Sequence, residues 1–202
     1  MKKLLIFIVL FCYTVVSFSQ IEYGIKGGLN LATVRYINED NSKARIAFNA
    51  GVFGEIPVQE NLFIRPELLY SSKGFAYSAS QFAREGSLRL NYIIVPLLVG
   101  YRPEAKVAFM AGPEFGFLQK AVSKSQGISN DMTNFYRHFD VGFDLGASYN
   151  FSQYFGIEGR YNYGFKDLVN VVITDNSGNV VGQGKSGANS VLQLGLYFYL
   201  SK

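Results

Sequence analysis

Hydrophobic and polar residues alternate strictly along the middle of the chain. From Phe139 to Phe151 every second residue is apolar or aromatic, and those between are aspartate, glycine, serine or asparagine. The pattern resumes after Ser152 and Gln153 and continues to Phe165. A period of two over about a dozen residues predicts a β-strand longer than those of most soluble proteins. We therefore expect two long neighbouring strands here.

The same alternation recurs along the chain and predicts eight strands: 23–33, 46–56, 62–73, 88–101, 106–118, 138–151, 154–166 and 189–200. The connections between them alternate in length, short at 57–61, 102–105 and 152–153 and long at 34–45, 74–87, 119–137 and 167–188. An even number of antiparallel strands with this alternation is typical of outer-membrane proteins. The pattern therefore predicts an all-β fold, an eight-stranded antiparallel up-and-down transmembrane β-barrel with short periplasmic turns and long extracellular loops.

Charged residues within the strands share one parity, which also carries many glycines, whereas bulky apolar residues occupy the other. A soluble lipocalin-like barrel would have the opposite arrangement, with large apolar groups inside. We therefore expect the bulky parity to face lipid and the charged parity to form a lumen charge network of Lys26, Glu55, Arg65, Glu67, Arg89, Glu114, Asp140, Asp144, Glu158, Arg160 and Lys166. Eight strands enclose a space just wide enough for side chains, and charges buried there need partners. A paired network that fills the lumen is the prediction, and a narrow ion channel is an alternative.

Two features disturb the simple pattern. Prolines inside strands cannot donate to the ladder, so we expect bulges or lost hydrogen bonds at Pro66, Pro96 and Pro113. The segment from Asn91 to Tyr101 is apolar on both parities. It predicts an apolar part of the lumen formed by Ile93, Val95 and Leu97.

The first residues have the features of a secretory signal. Lys2 and Lys3 precede an apolar run that ends near Phe18, and this run is shorter than the ~20 residues of a membrane-spanning helix. We expect residues 1–19 to be a cleaved signal peptide and residues 20–202 to form a single barrel domain. Cys12, the one cysteine of the chain, would leave with the signal, which excludes disulfides and cysteine metal sites. The remaining 17 basic and 15 acidic residues nearly balance, which argues against nucleic acid as a partner.

The last strand carries a pattern typical of barrel insertion signals, with a polar residue, a glycine and two apolar residues at alternating positions, here Gln193, Gly195, Phe198 and Leu200. Aromatic residues near the strand ends fit interfacial girdles, among them Tyr23, Tyr101, Tyr149, Phe155 and Phe198. These features predict a protein of the cell outer membrane of a Gram-negative bacterium. Its expected partners are outer-membrane lipid and, during assembly, the barrel-insertion machinery.

His138, the only histidine, is the one candidate for catalysis. It lies two residues before Asp140, and histidine paired with serine or aspartate can attack lipid esters. Three serines are possible neighbours, Ser71, Ser72 and Ser87, but no motif marks any of them. An ordinary polar residue at a strand end is the prediction, and a lipid-modifying outer-membrane enzyme that uses His138 is the alternative.

One further segment resembles a metal site only superficially. In 175–179 the glycine comes too early for a calcium loop, and no glutamate follows at the required distance. We interpret it as a hairpin tip above the membrane. The sequence predicts no cofactor and no metal.

Four motifs are similar to those of a known family: RPELLYSSKG at 65–74, NYIIVPLL at 91–98, AGPEFG at 111–116 and GRYNYG at 159–164. They resemble the PorT-like outer-membrane β-barrel family of Bacteroidetes, also described as a porin family, over residues 23–200. The resemblance implies an outer-membrane barrel without a catalytic motif. Because PorT is implicated in type IX secretion, it also implies possible secretion-system or surface partners. The predicted function is that of a non-enzymatic structural or interaction protein that acts through its long extracellular loops, mainly 119–137 and 167–188.

Overall fold

A computed structural model of the chain describes residues 21–35, 42–77, 85–169, 171–174, 180–184 and 186–201. The predicted signal peptide, 1–19, and the predicted hairpin tip, 175–179, lie outside these residues. The described part is built almost entirely of strands, with one 3-10 turn at Thr133–Phe135. It contains no helix long and apolar enough to cross a membrane.

The described residues form twelve strands. They are β1 Glu22–Arg35, β2 Ser42–Lys43, β3 Arg45–Gln59, β4 Leu62–Tyr77, β5 Gly86–Glu104, β6 Val107–Ser125, β7 Ile128–Asp131, β8 Phe139–Asn150, β9 Phe155–Gly164, β10 Val171–Thr174, β11 Val180–Gly184 and β12 Ala188–Ser201. The eight long ones coincide with the eight predicted strands. Most extend further into the long loops than the alternation indicated, because β-pairing continues beyond the last clearly alternating residue.

The eight long strands close into a ring in the order β1, β3, β4, β5, β6, β8, β9, β12. β12 returns to β1 and pairs with it antiparallel from Tyr23–Ser201 to Arg35–Ala188, and every other neighbouring pair is also antiparallel. A closed ring has no open edge, as lipid requires. The predicted fold class is confirmed. We call the end of the ring with the short turns, the start of β1 and the end of β12 the turn end, and the opposite end the loop end.

The two parities of most strands separate as predicted. The outward side chains are bulky, apolar and exposed, for example Leu29, Phe48, Leu68, Phe109, Leu145, Ile157 and Leu194. The inward ones include the charged residues, which are almost fully buried. At some inward glycines a neighbouring ring occupies the space: an added Cβ at Gly100 would lie 2.1 Å from the ring of Phe63.

Strand β5 is the exception, and here the prediction was wrong. Its even-numbered residues face inward and are buried, namely Leu88, Leu90, Tyr92, Ile94 and Leu98. Arg89 is therefore on the outward parity and only half-buried, and the predicted apolar patch of Ile93, Val95 and Leu97 lies on that parity too. Because both parities are apolar over the predicted span 88–101, Arg89 was the only charge within that span that could indicate which face is inward, and it indicated the wrong one.

The ladder is interrupted at the strand prolines, as expected. Strands β4 and β5 pair at Pro66–Leu97 and resume at Leu69–Ile94 in the same register. Strands β5 and β6 likewise pair at Pro96–Glu114 and resume only at Val99–Ala111. The unchanged register means that pairing is lost locally without a bulge.

Candidate functional site

The lumen is filled in three layers. Its middle holds buried charged side chains. Towards the turn end lie two small apolar clusters, one of Phe63, Leu98, Ala108 and Met110 and one of Phe53, Tyr197 and Tyr199. Towards the loop end lies a larger one, the upper cluster, of Val34, Leu69, Leu88, Leu90, Tyr92, Ile94, Leu118, Ala121 and Leu168. The upper cluster therefore separates the central charges from water at the loop end, whereas at the turn end the charges continue beside the apolar clusters to Arg102, whose side chain is 23% exposed.

Glu67 is the centre of the charged layer. Arg160 donates to both of its carboxylate oxygens, at 2.9 and 2.8 Å. Lys26 Nζ lies 3.2 Å from one oxygen, and Arg65 Nε lies 3.2 Å from the other. All four side chains are at most 1% exposed. Three cations on one carboxylate need further acids to balance them.

Two more glutamates supply that balance. Glu158 pairs with Lys26, with Arg160 at 3.3 Å and with Arg65 at 3.5 Å. Glu55 lies 3.6 Å from Arg65 and accepts hydrogen bonds at 2.7 Å from Arg102 and at 2.9 Å from the Tyr199 hydroxyl. The guanidinium of Arg65 also lies 4.0 Å from the ring centroid of Phe53, which joins the charged layer to the apolar cluster below it.

A second charged group lies nearer the loop end, with Lys73 at its centre. Lys73 Nζ lies 2.6 Å from Glu114 and 3.9 Å from Asp140. Asn162 donates at 2.7 Å to Asp144, which also pairs with Arg160 at 3.3 Å. Arg160 thus joins the two groups into one network.

The structure places nine of the eleven predicted lumen residues in this network and leaves out two. Arg89 is on the outward parity, and Lys166 lies beyond the end of β9 at the loop end, with its Nζ 4.5 Å from the ring centroid of Phe139. Lys73 and Arg102 belong to the network but were not predicted. Lys73 has the parity of Arg65 and Glu67 on the same strand, so this signal was present in the sequence.

A cap closes the loop end of the lumen. Met132, Tyr136 and Val169 pack against the upper cluster. Two backbone hydrogen bonds hold the cap, from Arg137 to Leu168 and from Leu168 to Gly187, at 2.8 and 2.9 Å. The cap therefore joins the segment before β8 to the segment after β9.

The 3-10 turn of the cap is held by side chains. Asp131 accepts hydrogen bonds from the backbone and the hydroxyl of Thr133, at 2.9 and 2.6 Å. These bonds hold the pKa of the Asp131 carboxyl below its usual value. Thr133 in turn accepts from the backbone of Ala121 at 3.0 Å, which attaches the turn to β6.

Beside the cap lies an open cleft of about 690 Å³, the rim cleft, lined by Asn134, Phe135, Tyr136, Arg137, His138, Phe139, Lys166 and Val169. Three of these side chains are basic and three are aromatic. Within the described residues, no acidic side chain forms an ion pair with Arg137, His138 or Lys166. The rim cleft is thus a cationic and aromatic surface beside a closed lumen.

The surroundings of His138 do not form a catalytic arrangement in the part of the chain that the structure describes. His138 is exposed, and its backbone oxygen accepts a hydrogen bond from the backbone of Leu118 at 2.8 Å. Asp140 instead points into the lumen and accepts from Asn189 at 2.8 Å. Ser71 is buried against Asn30. Among the described residues, no three His, Cys, Asp or Glu side chains come together as a metal site.

The four residues of the predicted insertion signal lie on β12, the strand that closes the ring. Gln193 is buried, Gly195 is half-buried, and Phe198 and Leu200 are exposed on the outward face. Their role in insertion stays a prediction. Gln193 is unusual because neither amide atom has a hydrogen-bond partner among the described residues.

Comparison with known proteins agrees with this architecture. A family model described as "Outer membrane protein beta-barrel domain" matches residues 17–170. The crystal structure of Ail, the attachment invasion locus protein of Yersinia pestis, is similar with a TM-score of 0.54 and 16% identity over 90% of this chain and 100% of that one. The structure of Neisserial surface protein A has a TM-score of 0.53 and 12% identity over 89% of this chain and 99% of that one. A search of curated proteins found no match.

Proposed function

Because this chain belongs to the outer membrane protein beta-barrel domain family, we propose that it is a non-enzymatic protein that acts through its extracellular face. The family confirms the predicted location in the cell outer membrane. The loop end then faces the outside of the cell, and the turn end faces the periplasm. In this proposal the filled barrel is a scaffold, and the loop end is the interacting surface.

The observation that carries the proposal is the filling of the lumen. Arg160 and Glu67 lie on β9 and β4, which are opposite strands of the ring, and their two hydrogen bonds cross the lumen. A conducting path would have to break such pairs and pass the apolar side chains of the upper cluster. The geometry therefore favours a closed scaffold over the narrow channel.

The placement of His138 favours a non-enzyme over a lipid-modifying enzyme. A nucleophilic mechanism needs a nucleophile and a base within hydrogen-bond reach, and a third group that orients the base. In the described residues Asp140 is engaged with Asn189 in the lumen rather than with the His138 ring. The rim cleft, by contrast, combines cations and aromatic rings, as binding surfaces do.

A complementation experiment tests whether the loop end, rather than the barrel alone or a His138-dependent activity, carries the function. A deletion strain would receive the wild type, His138→Ala, or a variant in which residues 126–136 are replaced by a Gly-Ser linker. Heat-modifiable migration on a denaturing gel would show that each barrel is folded. We expect His138→Ala to restore the wild-type envelope phenotype and the loop variant to fail. Rescue by the folded loop variant, or altered lipid A that depends on His138, would overturn the proposal.

The narrower assignment to a PorT-like secretion role is proposed on the motif resemblance alone. Its test is the set of proteins exported by a deletion strain. Loss of exported proteins, restored by the wild type, would support a secretion role. Unchanged export would leave a surface-binding role as the proposal.

A further inference from the structure

We infer that the rim cleft binds the phosphate of a glycolipid in the outer leaflet of the outer membrane. The inference rests on the proposed function in one respect, that the loop end is the interacting surface. It adds a defined site and a ligand class. The argument uses the depth of the rim cleft, its charge and its rigidity.

The lower edge of the rim cleft lies on the lipid-facing side of the barrel. Phe139 is the first residue of β8 and stacks on Phe115 with ring centroids 6.5 Å apart. It also contacts Phe117 at 5.4 Å. All three rings are on the outward parity, and such aromatic groups mark the interface between hydrocarbon and headgroups. A molecule in the rim cleft is therefore at headgroup depth.

The upper part of the rim cleft is cationic. Lys166 Nζ lies above the ring of Phe139, and Arg137 lines the rim cleft from the segment before β8. The Nε atom of Arg137 is buried and has no acceptor among the described residues. An unsatisfied buried donor costs free energy unless a ligand or water supplies an acceptor. Arginine and lysine are the usual recognition groups for phosphate, and both line the rim cleft.

The rim cleft is also preorganised. The Arg137–Leu168 backbone hydrogen bond joins its two walls, and the bonds that Leu118 donates to His138 and Phe165 donates to Val141, both 2.8 Å, anchor each wall to the barrel. Its volume of about 690 Å³ suits a phosphorylated sugar headgroup. Cations above an aromatic lower edge match an amphiphile with an anionic head and apolar chains, which is the chemistry of a phosphorylated glycolipid.

A single tryptophan can report on the rim cleft. The chain contains no tryptophan, and Phe135 is exposed and lines the cleft. Phe135→Trp would be refolded into phosphatidylcholine vesicles that contain no glycolipid, diphosphorylated lipid A, or dephosphorylated lipid A. We expect a saturable emission change with diphosphorylated lipid A only. Equal responses to both forms of lipid A, or no response in correctly folded protein, would overturn the inference.

A matched pair of double variants tests the cations. Arg137→Gln with Lys166→Gln should weaken binding by about 25-fold, since each cation near a membrane surface contributes a factor of about five. Lys43→Gln with Lys124→Gln removes the same charge from the same end of the barrel but not from the rim cleft. It should leave the affinity within about twofold. Equal loss in both pairs would mean a diffuse surface charge and would contradict a site.

Inorganic phosphate distinguishes a lipid from a free anion. If phosphate alone gives the full emission change at micromolar concentration, the ligand is a soluble anion and the lipid assignment is wrong. Failure of these binding experiments would leave the complementation result unchanged. Rescue of the deletion strain by the folded loop variant would remove the proposed function whatever the vesicles show.

Discussion

Arg160 on β9 donates a hydrogen bond from each of its two terminal nitrogens to the carboxylate of Glu67 on β4, at 2.9 and 2.8 Å. The two residues are 93 positions apart in the chain. The two strands lie on opposite sides of the ring, so the pair ties the walls together across the lumen. Bidentate pairs of this kind combine strength with a fixed geometry. The position of Glu67 among three cations makes it the residue on which the network most depends.

Replacing Glu67 should therefore be severe. Glu67→Gln leaves Lys26, Arg65 and Arg160 buried with too little negative charge, and we expect a loss of about 3–5 kcal/mol in the free energy of unfolding. Urea unfolding of the protein refolded in lipid vesicles would measure it. Glu60→Gln, which changes an exposed glutamate in a short turn, is the control and should cost less than about 0.5 kcal/mol. Equal effects of the two changes would contradict the central role of Glu67.

The Lys73–Glu114 pair offers a test of charge balance. Lys73→Met or Glu114→Leu alone leaves a buried charge unpaired and should destabilise the barrel by about 3 kcal/mol. The double variant removes both charges and should recover at least half of that loss. A double-mutant cycle on unfolding free energies measures the coupling. Additive losses would mean that the 2.6 Å contact does not couple the two groups.

Arg65 and Arg89 test the corrected face of β5. Arg65 is fully buried among three glutamates, whereas Arg89 is half-buried on the outward parity. We expect Arg65→Gln to destabilise the barrel by about 3 kcal/mol. Arg89→Gln should cost less than about 1 kcal/mol. If thermal or urea unfolding shows Arg89→Gln to be the more destabilised variant, the odd-numbered residues of β5, and not the even-numbered ones, face the lumen.

Much of this fold could be predicted because alternation reports burial directly. A strand with charges on one parity and bulky groups on the other has only one orientation that lipid permits, and Lys26, Glu67 and Glu158 follow that rule. The rule fails where both parities are apolar, as on β5 around Ile93 and Ile94. The alternation rule also cannot predict which charged side chains form ion pairs, because the contact between Arg160 and Glu67 depends on ring closure and strand tilt. The rim cleft was equally hidden, since it joins two segments about 30 residues apart in the chain.

Neighbouring residues of β12 provide a direct test of the two faces. Leu194 is exposed on the lipid side, and Gln193 is buried in the lumen. Leu194→Arg should destabilise the barrel by ~2–4 kcal/mol, because it places a charge in hydrocarbon. Gln193→Arg places a charge opposite Arg160 in the β9 ladder, so a second change to glutamate on the inner face should partly restore stability. If that glutamate restored the stability of Leu194→Arg but not that of Gln193→Arg, Leu194 would face the lumen and Gln193 the lipid, which would contradict the structure.

The closed lumen is the central claim, and conductance across a planar lipid bilayer tests it most directly. The refolded wild-type protein, added to a bilayer in molar KCl beside a general porin as a positive control, should give no stepwise current. In the part of the chain that the structure describes, the paired charges around Glu67 fill the middle of the lumen and the apolar upper cluster closes it towards the loop end, so we expect no open ion path. Stable, voltage-independent current steps from the wild type, altered in size by Glu67→Gln, would contradict the closed scaffold and establish the channel.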